Sequence, residues 1–194
     1  MPQPAPRAAR PVRADAQRNR QALMTVARGA FATQDAVTLE DVARAAGVGI
    51  GTLYRHFPTR EALVEAVYAA ELDAVTGSAP GLLTELTPPA ALRALMDRYA
   101  SFAAAKRGMV DTLRAGWASG RIATPATRER LTATIATILV AGARDGSLRP
   151  DVEADDVTTL LLGVFLATTQ SATEKRTGAL LNLLVDALRP AAQQ

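Results

Sequence analysis

Thr38–Leu63, TLEDVARAAGVGIGTLYRHFPTREAL, decides the fold of this chain. Thr38 followed three residues later by Asp41 is a capping-box pattern, in which a hydroxyl and an acid engage the free amides that open a helix. The spacing predicts a short helix with Leu39, Val42, Ala43 and Ala46 facing inward, ended by a left-handed cap at Gly47. A second short helix, Ile50 to Phe57, starts at once, with Leu53 and Phe57 as its buried positions. Two short helices joined by a glycine-containing turn make a helix-turn-helix. Pro58 stops the second helix, Thr59 caps the next, and Leu63, Ala66, Val67 and Ala70 give that next helix an apolar face.

A helix that enters a major groove by its first turn needs small residues where backbone meets phosphate and polar ones aimed at base edges. Gly49, Gly51 and Thr52 meet that demand. Tyr54, Arg55 and His56 follow as hydrogen-bond donors beside Leu53 and Phe57, and Arg60 opens the next helix, so the donors cluster where phosphate oxygens would lie. Taken alone, Tyr54 reads equally as a half-buried aromatic and His56 as a surface histidine. Beside the cap and the turn they read as a DNA-facing set.

Over nearly every patterned position, Thr38–Leu63 resembles the helix-turn-helix signature of TetR-family transcriptional regulators, and the likeness covers about residues 18–70. The resemblance implies an all-α protein, with an N-terminal three-helix DNA-binding module and a larger helical domain for ligand binding and dimerisation. By motif position it implies phosphate contacts at Thr38 and Tyr54, base-facing residues at Ile50 and Thr52, and backbone clamps at His56 and Arg60. The implied partners are a double-stranded operator, a small-molecule effector and a second copy of the chain. Two positions depart from the pattern. Gly49 stands where the family has Ser or Thr capping the recognition helix, leaving backbone amides to serve an anion there. The stretch Thr33–Val37, TQDAV, lacks the family's glycine, so Gln34 or Asp35 is expected in the left-handed conformation.

Charge agrees with a polyanion-binding N-terminus. Residues 1–65 hold nine Arg against six acidic residues, and residues 66–194 are balanced, so the net charge of +3 sits in the first third. Residues 1–30 hold six Arg and one Asp, a footprint shared by DNA-binding surfaces and by solvated basic tails. Residues 1–17, with Pro2, Pro4, Pro6 and Pro11, lack apolar periodicity and read as a flexible basic arm. Leu23, Val26, Ala27, Ala30 and Phe31 then mark a helix from about Arg18 to Thr33. The domain boundaries expected are 1–17 for the arm, 18–64 for the DNA-binding domain and 65–194 for the effector and dimerisation domain.

The whole chain has 194 residues, 48% of them hydrophobic but only 4% aromatic, and Ala supplies 41. That composition favours helices and excludes disorder throughout. The apolar run Leu160–Ala167, interrupted by Gly163, is far short of the roughly 20 residues that span a bilayer, so no membrane partner is expected. The N-terminal arginines lead into no apolar stretch of a signal peptide, and a cytoplasmic location is the default. Absence of Cys removes disulfides and thiolate chemistry, and His56, the one histidine, cannot build a multi-histidine site, so no metal or cofactor is expected. The acidic segment Asp151–Asp156 reads as carboxylates complementing a helix dipole, since it lacks the glycine and distal Glu of an EF-hand loop.

Beyond residue 75, Gly77–Gly81 and Thr87–Pro89 read as a loop and a helix start. Met96, Tyr99, Phe102, Met109, Leu113 and Trp117 hold much of the aromatic and sulfur content and are candidates for a ligand cavity. Ordinary bundle core is the other reading of the same stripe. The segments Val157–Thr169 and Leu180–Leu188 are apolar around most of their circumference and need burial on two sides, which a two-fold dimer supplies. Leu161, Val164, Phe165, Leu181, Leu184 and Leu188 are the expected interface. Three classes of function follow: a homodimeric, ligand-released repressor, an architectural DNA-binding protein without a ligand, and a small helical enzyme, against which one His, no Cys and no paired carboxylates in a cleft speak.

Overall fold

The computed structural model describes residues 10–33, 37–120, 126–168 and 174–190. Among them are ten α-helices and no strand: α1 (Arg10–Thr33), α2 (Leu39–Ala45), α3 (Ile50–His56), α4 (Arg60–Thr76), α5 (Ala79–Glu85), α6 (Pro88–Arg107), α7 (Val110–Ala118), α8 (Thr127–Asp145), α9 (Ala154–Thr168) and α10 (Glu174–Ala187). Among the described residues, no helix is long and apolar enough to cross a membrane. The chain divides into two units, one ending at Tyr68 but including Ala105–Ala123, the other built from Ala69–Ala104 and Thr124–Gln194. Against the boundary at residue 64 expected from sequence, the first unit runs on to Tyr68 and takes in Ala105–Ala123, so that α7 groups with the helix-turn-helix rather than with the later helices.

In the first unit, Leu23, Ala27 and Phe31 of α1 are buried with Val42 and Ala43 of α2, Leu53, Phe57, and Leu63, Val64 and Val67 of α4. Burying each Leu, Val or Phe contributes about 1.5–3 kcal/mol, enough for helices of only two turns to hold their places. The helix expected from Arg18 starts at Arg10, so residues 10–17 are helical rather than an arm. Pro11 falls in the first turn, where its missing N–H would have had no intrahelical acceptor. Residues 1–9, and Gln34 and Asp35 with their expected left-handed turn, lie outside the described residues.

In the second unit, Leu92, Leu95, Met96 and Phe102 of α6 are buried, as are Leu131, Ile135 and Ile138 of α8, Val157 and Leu161 of α9, and Leu181 and Val185 of α10. Gly77–Gly81 is not all loop, because α5 begins at Ala79 with Pro80 in its first turn and Ala79 and Leu82 buried. Gly146 ends α8 in the left-handed conformation, φ 76°. The chain then folds back so that the Leu148 amide donates to Gly142 O at 3.0 Å. A Cβ on Gly142 would stand 2.5 Å from Leu148 Cδ1 and 2.8 Å from its Cβ, so the side chain of Leu148 occupies the space a larger residue would need. Of the acidic segment, Asp155 and Asp156 lie in the first turn of α9. Asp155 accepts from Arg128 at 2.8 Å, and Asp151 from Arg149 at 2.7 Å.

Candidate nucleic-acid interface

The α2–α3 corner is built by local chemistry. Thr38 Oγ1 accepts the Asp41 amide at 3.1 Å and donates to Asp41 Oδ2 at 2.6 Å, closing the box read from the sequence. Hydrogen bonding from Thr38, joined by the charge of Arg44, holds the Asp41 carboxyl below its usual range. Gly47, at φ 65°, follows the last turn of α2, with its amide bonded to Arg44 O and the Val48 amide to Ala43 O. This pair of bonds is a Schellman closure, which only a residue tolerant of positive φ makes without strain.

Gly49 caps α3 without a side-chain hydrogen bond, at φ −61° and ψ 140°. A Cβ added to Gly49 or Gly51 would meet no atom within 4 Å. Neither glycine is demanded by the protein's own packing, and both leave the opening amides of α3 bare toward solvent. Gly49, Gly51 and Arg55 are exposed, as are Ile50 (42%) and Tyr54 (43%), while Thr52 and His56 are half-buried. Ile50 is thus an exposed apolar side chain in the first turn of α3, flanked by two glycines.

Three of the expected phosphate contacts are engaged within the protein. Thr38 is exposed but holds the cap just described. The Tyr54 hydroxyl donates to Glu40 Oε1 at 3.2 Å, and that carboxylate raises the phenol's pKa. Arg60, expected as a backbone clamp, is half-buried instead: Nη1 donates to Val37 O, Nε reaches Thr112 Oγ1 at 3.4 Å, and the guanidinium stands 5.4 Å from the centre of the Phe31 ring. Arg60 thus ties α1, the approach to α2, α4 and α7 together. Glu40 and Thr112, the partners of Tyr54 and Arg60 respectively, carry no periodic signal in the sequence.

The expected effector residues divide between the units, with Met96, Tyr99 and Phe102 in the second and Met109, Leu113 and Trp117 in the first. All are buried except Trp117, which is half-buried. The expected interface residues need correction. Leu161, Leu181, Leu184 and Leu188 are buried within the chain itself, and the Phe165 ring lies 5.1 Å from that of Tyr99. The outward apolar residues of α9 and α10 are Leu160, Leu166 and Leu183, at 57%, 80% and 64% exposure. Val164 is half-buried. A helix apolar all round does not tell which face meets its own core.

A family model described as bacterial regulatory proteins, tetR family, matches residues 23–67. A second, described as the transcriptional regulator SbtR-like C-terminal domain, matches residues 87–190. The crystal structure of a TetR transcriptional regulator from Streptomyces coelicolor is 41% identical, with a TM-score of 0.81, covering 89% of this chain and 99% of that one. A TetR transcription regulatory protein from Mycobacterium vanbaalenii is 33% identical, with a TM-score of 0.72, covering 93% of this chain and all of that one. An HTH-type transcriptional regulator of Staphylococcus aureus (strain MRSA252) is 31% identical over 78 residues, 39% of this chain, which spans 41% of that relative's length. With the helix-turn-helix and the later helices both matched, the chain belongs to the TetR family of DNA-binding transcriptional regulators.

Proposed function

We propose that the protein is a homodimeric repressor that grips a pseudo-palindromic operator through two copies of α3 and releases it when a small molecule binds. The observation that carries this reading is the exposed first turn of α3, where Gly49 and Gly51 flank Ile50 with no packing demand for glycine. Thr52 and Ile50 read bases, and Tyr54, Arg55 and His56 hold the phosphate backbone once the Tyr54 hydroxyl leaves Glu40. Acting on DNA, the protein works in the cytoplasm.

Dimerisation is supported by α9 and α10. Leu160, Gly163, Leu166 and Ala167 on α9, and Ala179, Leu183 and Ala187 on α10, are exposed. Small residues between large ones let two such helix pairs approach closely, and a two-fold axis makes one patch its own complement. The effector, largely apolar, is seated on the Met109, Leu113 and Trp117 face of α7. It acts by binding one arrangement of the helix-turn-helix better than the other, since only differential affinity shifts that equilibrium.

Binding-site selection with the purified protein tests the DNA half: enriched half-sites related by a two-fold axis support it, and an unenriched pool overturns it. Sedimentation tests the dimer. Leu183→Asp places a carboxylate in the apolar interface, where it costs several kcal/mol, and is expected to give a folded monomer. Wild-type protein sedimenting as a monomer at micromolar concentration contradicts the dimer.

A further inference from the structure

Tyr68, Lys106 and Trp117 form a cluster in the first unit that DNA recognition does not use. Tyr68 of α4 and Trp117 of α7 meet edge to face, with ring centres 5.9 Å apart and planes at 75°. Lys106, in the last turn of α6, holds its Nζ 5.7 Å from the Tyr68 ring centre and 5.5 Å from that of Trp117. No carboxylate among the described residues pairs with this ammonium. Its pKa is lowered, first by burial and then by the charge of Arg114. The indole Nε1 of Trp117 is itself buried and has no acceptor among the described residues.

The indole N–H has left water for hydrocarbon, and the half-buried ammonium has exchanged part of its hydration for ring faces. Cation–π contact compensates an ammonium only in part, and a buried N–H without an acceptor is a rare feature in a folded protein. A compact anion with acceptor oxygens would complete both. The surroundings are apolar: Met109 and Leu113 are fully buried and lie on the same face of α7 as Trp117 at four-residue spacing.

We propose that Lys106 and the Trp117 indole N–H form an anchor for the carboxylate of a hydrophobic acid, whose aromatic or alkyl body lies against Tyr68 and Trp117. Lys106 supplies the charge, Trp117 Nε1 a directional hydrogen bond, and Arg114 a second positive charge. The assignment rests on the ligand-released reading only for its regulatory consequence. Placing the anion beside α7, which carries Thr112, gives the effector a route to Arg60 and the helix-turn-helix.

The test uses full-length protein without DNA. Benzoate, phenylacetate and octanoate are titrated beside benzamide, phenylacetamide and octanamide, by calorimetry and by the emission of Trp117, the sole tryptophan. At least one acid is expected to bind tenfold or more tightly than its amide and to change Trp117 emission. Lys106→Met is expected to remove that preference while leaving amide binding unchanged, and Lys106→Arg to restore part of it. Equal binding of acid and amide, no binding of any of the three acids, or undiminished acid binding by Lys106→Met overturns the anchor. The wild-type acid and amide comparison decides even if Lys106→Met does not fold. Operator affinity, measured with and without the bound acid, is read separately. An acid that binds with the stated preference yet leaves operator affinity unchanged supports the anchor and overturns release by this ligand.

Discussion

Arg60 Nε donates to Thr112 Oγ1 at 3.4 Å, linking the first turn of α4 to α7 across 52 positions of sequence. The same guanidinium donates to the carbonyl of Val37, the residue before the N-cap of α2. One side chain therefore touches both α7 and the entrance to the helix-turn-helix.

This makes Arg60 an internal strut. Arg60→Ala is expected to lower the stability of the DNA-free protein by about 1–3 kcal/mol, the cost of stranding a partly buried acceptor. Thr112→Val should cost less, and the double variant less than the sum of the two. Denaturant unfolding of the four proteins measures this coupling. Unchanged stability of Arg60→Ala, with only DNA affinity lost, would return Arg60 to the role of an external clamp.

The Tyr54 hydroxyl is held by Glu40, so on the proposed reading a phosphate has to compete for it. Glu40→Ala removes both that competitor and a negative charge beside α3, and is expected to tighten binding to all duplexes. Tyr54→Phe should weaken all of them by similar factors, whereas Thr52→Ala should relax sequence choice instead. Titration of each variant against a matched and a mismatched duplex separates the outcomes. Equal loss of discrimination in Tyr54→Phe and Thr52→Ala contradicts the assignment of faces.

Thr38 and Asp41 couple the first turn of α2 to pH. Asp41 has a lower pKa folded than unfolded, chiefly through Thr38. Its contribution to stability is therefore complete above the unfolded value of about 3.9 and is lost as pH falls through the folded one. Thr38→Ala should cost about 1 kcal/mol at pH 7. The gap between wild type and variant should narrow as pH falls below about 4, the ordinary carboxyl value. A gap that stays constant down to acid pH removes Asp41 from the account.

Gly142 is required by the close return of Leu148. Gly142→Ala is expected to destabilise the second unit by about 1–3 kcal/mol, as overpacking does. In a Leu148→Ala background the same substitution should cost almost nothing, which thermal unfolding of the single and double variants checks. Equal costs in both backgrounds would mean that Leu148 is not what excludes a Cβ at Gly142.

The helix-turn-helix was legible because its signals are local. Thr38 and Asp41 are three residues apart, Gly47 and Pro58 end their helices by backbone geometry, and Leu53 and Phe57 fall at helical spacing. Misreadings arose where a residue permits more than one backbone, as Pro11 and Pro80 do in the first turns of α1 and α5. Others arose where the partner is distant: nothing near Arg60 names Thr112, and nothing near Lys106 names Tyr68 or Trp117. On α9 and α10 the apolar pattern ran around most of the circumference, so Leu161 and Leu184, which are buried, could be told from Leu160 and Leu183, which are exposed, only by packing.

Titration of a selected operator against an unrelated duplex of equal length, over a range of salt, tests the central claim most directly. The account predicts binding with two chains per operator, at least about a thousandfold preference over the unrelated duplex, and affinity falling linearly with salt on logarithmic axes. Equal affinity for the two duplexes, or binding that salt leaves unchanged, would contradict it.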